Sequence, residues 1–293
     1  MPERDSAEFR PARESSVWTL VIVVVVILAA AFAWWRWSLQ KEAPPQEPPA
    51  ATAPQPTPPD APPAPVAQGP QNPVDALAEP DPALPALNDA DGRVTAALNE
   101  LLGRKSVVSF LQVDGFVRRV VATVDNLPRA QATSRMWPTH PAPQRFTVQG
   151  NGEVKTISAD NGSRYTPLVL FAESVDSARA VALYAKLYPL FQQAYEELGY
   201  PGRYFNDRLV AVIDHLLQAP VPAGPVQVKL TEVKGEMQSE RPWVRYEFVD
   251  PELESLSAGQ KILVRMGPVN ERRMKAKLAE LRRQIATGAM AKK

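Results

Sequence analysis

The segment LGYPGRYFNDRLVAVIDHLL, residues 198–217, gathers the densest set of side chains able to do chemistry. Tyr200, Arg203, Tyr204, Asn206, Asp207 and Arg208 crowd its first half, and His215, one of two histidines in the chain, sits in its second. Phenols, guanidiniums and carboxylates this close could form an active site, a docking surface or the start of a helix held in a core. If a carboxylate and an imidazole meet in a cleft, they can also move protons. The spacing gives most of them structural work instead. Gly199 and Pro201 stop one helix. Asn206 is placed to cap the next, with Asp207 favourable in its first turn. Phe205, Leu209, Val212, Ile213 and Leu216 form the apolar stripe of that helix, and His215 beside it reads as a partly buried, satisfied residue. Asp207 and Asp214 share a different face, where Arg203 or another base can pair with them. Tyr200, Arg203 and Tyr204 remain as a candidate binding edge.

No catalytic set stands out elsewhere. His140 lies in a proline-rich loop, and with only two histidines far apart there is no zinc-binding His pair on one helix. The chain lacks a G-x-S-x-G elbow, a Walker loop and a G-x-G-x-x-G run, so it offers no nucleophile elbow or phosphate cradle. With no cysteine there is no disulfide, thiol nucleophile or zinc-thiolate site. Neighbouring acids such as Glu196 and Glu197 point apart on a helix, as solvated faces do. Neither a metal nor a cofactor is implied. A pair of carboxylates distant in sequence stays open as the alternative: a hydrolase or transferase acting on an envelope polymer through acids such as Asp207 or Asp214.

Charge points to partners more than its total does. The net charge of +1 argues against nucleic acid, yet from Arg265 onward nine bases face two acids. A helix written VNERRMKAKLAELRRQI carries Met274, Leu278, Leu281 and Ile285 on one face and bases elsewhere. It reads either as a docked terminal helix with a solvated basic side or as a contact surface. In the second reading Arg272, Arg273 and Lys275 meet an envelope protein, an anionic lipid or a wall polymer.

These residues need a frame. Val17–Trp37 begins with nineteen residues that carry no charge, enough for a helix of roughly 30 Å, the thickness of a bilayer core. Tryptophans stand at both ends, and Ala31-Phe32-Ala33, with small residues at its first and third positions, offers the rival reading of a cleaved signal. The predicted organisation is a short cytoplasmic N-terminus (1–16), an anchor (17–37) and a disordered Pro/Ala-rich linker (38–86). A periplasmic domain (87–287) and a flexible tail (288–293) follow. The bases before the anchor favour a cytoplasmic N-terminus and an exported C-terminal bulk.

The domain reads as α+β, predominantly helical, with two short β-hairpins. Apolar spacing predicts a helix capped at Asp89 or Asp91 and closed by Gly103, then one over Val107–Leu127. Asn151-Gly152 predicts the first hairpin, over 145–158, and the alternations at 226–230 and 244–248 predict the second. Ser174 or Asp176 caps a tyrosine-rich helix with a kink or break at Pro189, and Pro268 opens the last helix.

Several stretches together resemble one bacterial family. They are RRVVATVDNLPR, NGSRYTPLV, LYPLFQQAYEELGYPGRYFNDRLVAVIDHLL, YEFVDPELESLSAGQKILVRMGP and the basic last helix. The family is catalogued as domain of unknown function 3014, and the resemblance spans approximately Leu87 to Ile285. It implies a single-pass protein of the bacterial inner membrane with a periplasmic envelope domain, and it supplies no catalytic residue. Residues and resemblance together favour a non-enzymatic binding or scaffold domain.

Overall fold

The computed structural model describes residues 69–77, 79–231 and 242–287. The predicted anchor, most of the linker and the tail lie outside these residues. Among the described residues, no helix is long and apolar enough to cross a membrane.

Nine α-helices occur among the described residues: α1 (Asp91–Leu102), α2 (Arg104–Phe110), α3 (Phe116–Asn126), α4 (Asn161–Ser174), α5 (Ser177–Glu197), α6 (Phe205–Leu217), α7 (Pro251–Ser255), α8 (Ala258–Arg265) and α9 (Pro268–Ile285). Four strands, β1 (Val148–Gln149), β2 (Val154–Ile157), β3 (Gln227–Leu230) and β4 (Tyr246–Phe248), form one antiparallel sheet in that order. The α+β class holds, but the two hairpins are not separate. Thr156 pairs with Gln227 and Val154 with Lys229, so β2 and β3 join them into a single sheet. A strand pair alone leaves an apolar face uncovered, and merging lets Val228 and Phe248 pack together against Val264 of α8.

Local signals placed several helix ends. Gly103 ends α1 at φ 79°, and the Asp176 carboxylate accepts the Arg179 amide at the start of α5. Pro268 is the first residue of α9. Other ends differ from expectation. The helix foreseen over 107–127 is two, α2 and α3, separated where Gly115 takes φ 59°. Asp91 does not cap its own helix but accepts the Gly115 amide, at 2.9 Å, across the break. Residues 161–174 form a helix that the pattern did not reveal, with Pro167 inside it. Pro189 does not divide α5, which runs unbroken over 21 residues. The missing N–H at Pro189 is outweighed by packing, because Ala185, Tyr188, Leu190 and Phe191 around it are all buried.

The main core lies where α3, α5 and α6 meet. Val117, Val121 and Val124 of α3 join Tyr188, Phe191 and Tyr195 of α5 and Phe205 and Val212 of α6. Tyr184 packs edge-on to Tyr188, and Phe191 stacks on Phe205. The tyrosine stripe is therefore core, and burial pushes the Tyr184 and Tyr188 phenols well above their ordinary range. The end of α9 closes a second cluster in which Ile285 meets Val181, Val210 and Ile213.

Composition assigned residues 69–86 to the linker, yet the described fold takes them in. Val74 and Leu87 are buried in the main core, and Leu77 and Leu84 pack against it. A few leucines and valines anchor a stretch whose average composition is that of a spacer.

The sheet's outer edge at β4 is closed by side chains. Glu254 accepts the Phe248 amide at 2.8 Å, and Arg265 donates to the Tyr246 carbonyl at 2.9 Å. These groups satisfy an edge that would otherwise invite another strand. At the other end of α8, Gly259 donates its amide to Leu127 at 2.8 Å. A Cβ there would meet Leu216 Cδ2 at 2.5 Å and the Leu127 carbonyl at 3.0 Å. Gly259→Ala is therefore expected to lower unfolding free energy by about 1–3 kcal/mol in urea titration. Gly224→Ala, which meets nothing within 4 Å, should change it little.

Candidate functional site

The turn after α5 is built into the fold. Gly199 takes φ 112°, turning the chain so that Tyr200 stacks on Tyr195 at 4.6 Å. The Tyr200 hydroxyl donates to Asp125 at 3.2 Å and accepts from Arg129 at 3.1 Å. Asp125 itself is buried, with Arg129 and Arg208 both paired to its carboxylate. The Tyr204 hydroxyl accepts the Val74 amide at 2.8 Å. Of the three residues of the candidate edge, only Arg203 is exposed, and its carbonyl is held by Gln192 at 2.7 Å.

Asn206 does not cap α6. The helix starts one residue earlier, and Asn206 is fully buried at its second position. Its amide nitrogen donates to the Asn72 carbonyl at 2.9 Å and the Ile285 carbonyl at 3.0 Å. Its oxygen accepts the Tyr184 hydroxyl at 3.2 Å. Asp207 accepts the amides of Gln71 and Asn72 at 2.9 and 2.7 Å. Asp214 is bound by both arms of Arg282. His215 Nε2 lies 2.9 Å from the Ser257 hydroxyl, a satisfied, partly buried histidine. The acids and imidazole that invited catalysis thus do not converge on a cleft. Each has a partner inside the fold.

The basic helix behaves similarly. Arg273 makes a two-pronged contact with Glu173, and that guanidinium holds the Glu173 carboxyl below its ordinary range. Lys275 reaches the Ala219 carbonyl, and Lys277 donates to Val175 at 2.6 Å. Arg272 and Arg283 are exposed and make no ion pair among the described residues. Among the described residues, no group of His, Asp and Glu can hold a metal ion.

One arrangement escaped the sequence. A groove of about 250 Å³ is walled by Phe146, Tyr165, Trp243 and Tyr246, with Arg164 and Arg265 in its lining. Gln144, also in its lining, has φ 63°, the one left-handed non-glycine among the described residues. Four separate segments supply these residues. The only sequence cue was the pairing of aromatic residues with arginine at Arg145-Phe146, Arg164-Tyr165 and Trp243–Tyr246.

Residues 116–282 match the family described as protein of unknown function, DUF3014. The chain belongs to the DUF3014 family. The match begins at Phe116 rather than Leu87, so α1 and α2 lie outside it, while its end at Arg282 takes in nearly all of α9. The DUF3014 match also includes the candidate turn, the basic helix and the whole arginine–aromatic groove. No curated protein and no solved structure matches the chain.

Glu271 is the one strongly perturbed acid of α9. It is fully buried, neither oxygen has a hydrogen-bond partner, and Lys275 Nζ stands 3.7 Å away. Burial pushes its pKa from 4.5 up to about 7, against the smaller opposing pull of Lys275 and Arg272. The folded chain therefore holds a proton that the unfolded chain has lost between those two values. Stability from this group is greatest below pH 4.5, falls as pH rises through the window, and is at its lowest above about pH 7. Glu271→Gln removes the charge, so its advantage over the wild type should grow from near zero at pH 4 to its maximum near pH 8. Urea midpoints measured across that range check this, and an advantage independent of pH would contradict it.

Proposed function

We propose that the chain is a membrane-anchored binding or scaffold domain of the bacterial envelope, working without catalysis of its own. Attachment is supported by the uncharged run at 17–35 with tryptophans at its two ends. The three arginines before it support a cytoplasmic N-terminus and a periplasmic domain. The proline-rich segment ahead of Gly69 gives the domain reach, since a spacer of about 30 residues extends by roughly 90 Å at 3.1 Å each.

The observation that carries the binding reading is the fate of the ionisable residues. Asp125, Asp207, Asp214 and His215 are all engaged within the fold, which leaves the acid-in-a-cleft alternative without the acids it named. Partners then meet surfaces rather than a reactive centre. An envelope protein or an anionic envelope polymer or lipid suits the outward cations Arg272 and Arg283, whereas nucleic acid does not suit an exported domain.

Two measurements test this. A phosphatase reporter active only in the periplasm, fused at the C-terminus, should be active, and a cytoplasm-only reporter at the same place should be silent. The reverse pattern would overturn the orientation. In-cell crosslinking with mass spectrometry should capture a partner that Arg272→Glu with Arg283→Glu weakens at least ~5-fold. Both side chains are exposed, and an unchanged circular-dichroism spectrum checks that the pair still folds despite the loss of the Arg272 charge beside Glu271. Undiminished capture would remove the basic helix from the interface.

A further inference from the structure

The arginine–aromatic groove has the parts of a ligand site, built from residues that also frame the loops and sheet edge around it. It lies between the loop before β1, the first turns of α4, the turn Pro242–Val244 leading to β4, and the last residue of α8. Phe146 and Tyr246 meet at 5.7 Å as one wall, and the Arg145 guanidinium covers Trp243 at 4.0 Å. Flat rings facing a narrow space suit another flat apolar group.

The arginines in its lining are fixed before any ligand arrives. Arg164 donates to the carbonyls of Pro143 at 2.9 Å and Gln144 at 3.1 Å, and to Asn161 Oδ1 at 3.2 Å. Arg265 donates to the Tyr246 carbonyl and lies 4.9 Å from the Phe248 ring centroid. Among the described residues, neither makes an ion pair and no carboxylate lines the groove. Glu254, which lies near Arg265, is paired to Lys261 and to the Phe248 amide. Arg265 is partly buried, and its acidic neighbour Glu254 is already paired to Lys261, so its charge is incompletely offset beside the rings, where burying a charge costs stability. The left-handed Gln144, whose carbonyl Arg164 holds, adds backbone strain at the same spot.

We propose that this groove binds a carboxylate carried on a flat apolar group. The chemistry follows from what is left over. Arg164 already uses three of its roughly five N–H donors, leaving about two, which suits one carboxylate better than a phosphate seeking many. A volume of about 250 Å³ admits one ring with its acid and little more. Two sources share this chemistry: a free aromatic acid and the terminal residue of a peptide. The assignment rests on the reading of the domain as a binding module and gives that module a ligand class.

Ligand-observed NMR and calorimetry on the full chain in a non-ionic detergent test it, with N-acetyl-tryptophan as the probe. N-acetyl-tryptophan should bind with a Kd of about 1 mM or tighter, and its uncharged amide and inorganic phosphate at least ~10-fold more weakly. An eight-residue peptide ending in Trp with a free carboxylate separates the sources. Binding at least as tight as the probe assigns a chain terminus, and binding by the probe alone assigns a free acid. Trp243→Ala and Arg164→Lys should each weaken the probe ~5-fold or more while the thermal midpoint of Trp243→Ala stays close to the wild type. Equal binding of acid and amide, or no binding of either to the wild-type chain, would overturn the site. That result would leave the crosslinking and reporter outcomes standing, so the two readings fail separately.

Discussion

One buried asparagine holds together three parts of this chain that are far apart in sequence. Asn206 has no exposure to solvent, so every polar atom it carries must find a partner inside. It finds Asn72 near the start of the described fold, Ile285 at the end of α9, and Tyr184 on α5. Its own backbone amide donates to the Tyr188 hydroxyl at 3.3 Å. Removing any one of these leaves a buried donor or acceptor unmet, at a cost of about 1–3 kcal/mol. Nearby, the Thr287 hydroxyl donates to the Pro73 carbonyl at 2.8 Å, so the beginning and the end of the described chain are tied directly as well.

This clasp explains why the opening stretch looked like an active site. Buried polar side chains with complementary partners are what catalytic clusters and structural joints have in common. Here Tyr200 and Arg208 serve the buried Asp125, Tyr204 and Asp207 receive backbone amides of residues 71–74, and Asp214 holds α9 through Arg282. The same economy applies to α9, where Arg273, Lys275 and Lys277 are turned to carboxylates and carbonyls of neighbouring elements. A basic composition did not translate into a continuous basic face, because helix docking consumed the cations nearest the contact.

What was legible in the sequence were local events. Gly103, Asp176, Gly199 and Pro268 mark chain turns whose cause lies within a few residues, and the structure uses each of them as such a mark. The turn at Asn151-Gly152 likewise connects β1 to β2. What stayed hidden depends on distant pairing. Val154 meets Lys229 across 75 positions, Asn206 meets Asn72 across 134, and the groove draws on four segments. Prolines misled in both directions. Pro167 and Pro189 sit inside helices held by packing, while the proline-rich composition before Leu87 hid Val74 and Leu77 as core residues.

The central claim is that Asn206 and Asp207 fasten residues 71–74, proline-rich in their surroundings, into the folded domain. Amide hydrogen exchange of the full chain reads this directly at Gln71, Asn72 and Val74, whose N–H groups are donated to Asp207 and Tyr204. The account predicts protection of these three amides in the wild type, and loss of it by at least ~10-fold in Asn206→Ala with Asp207→Ala while amides of α3 stay protected. Exchange of the three at unstructured-chain rates in the wild type would contradict it.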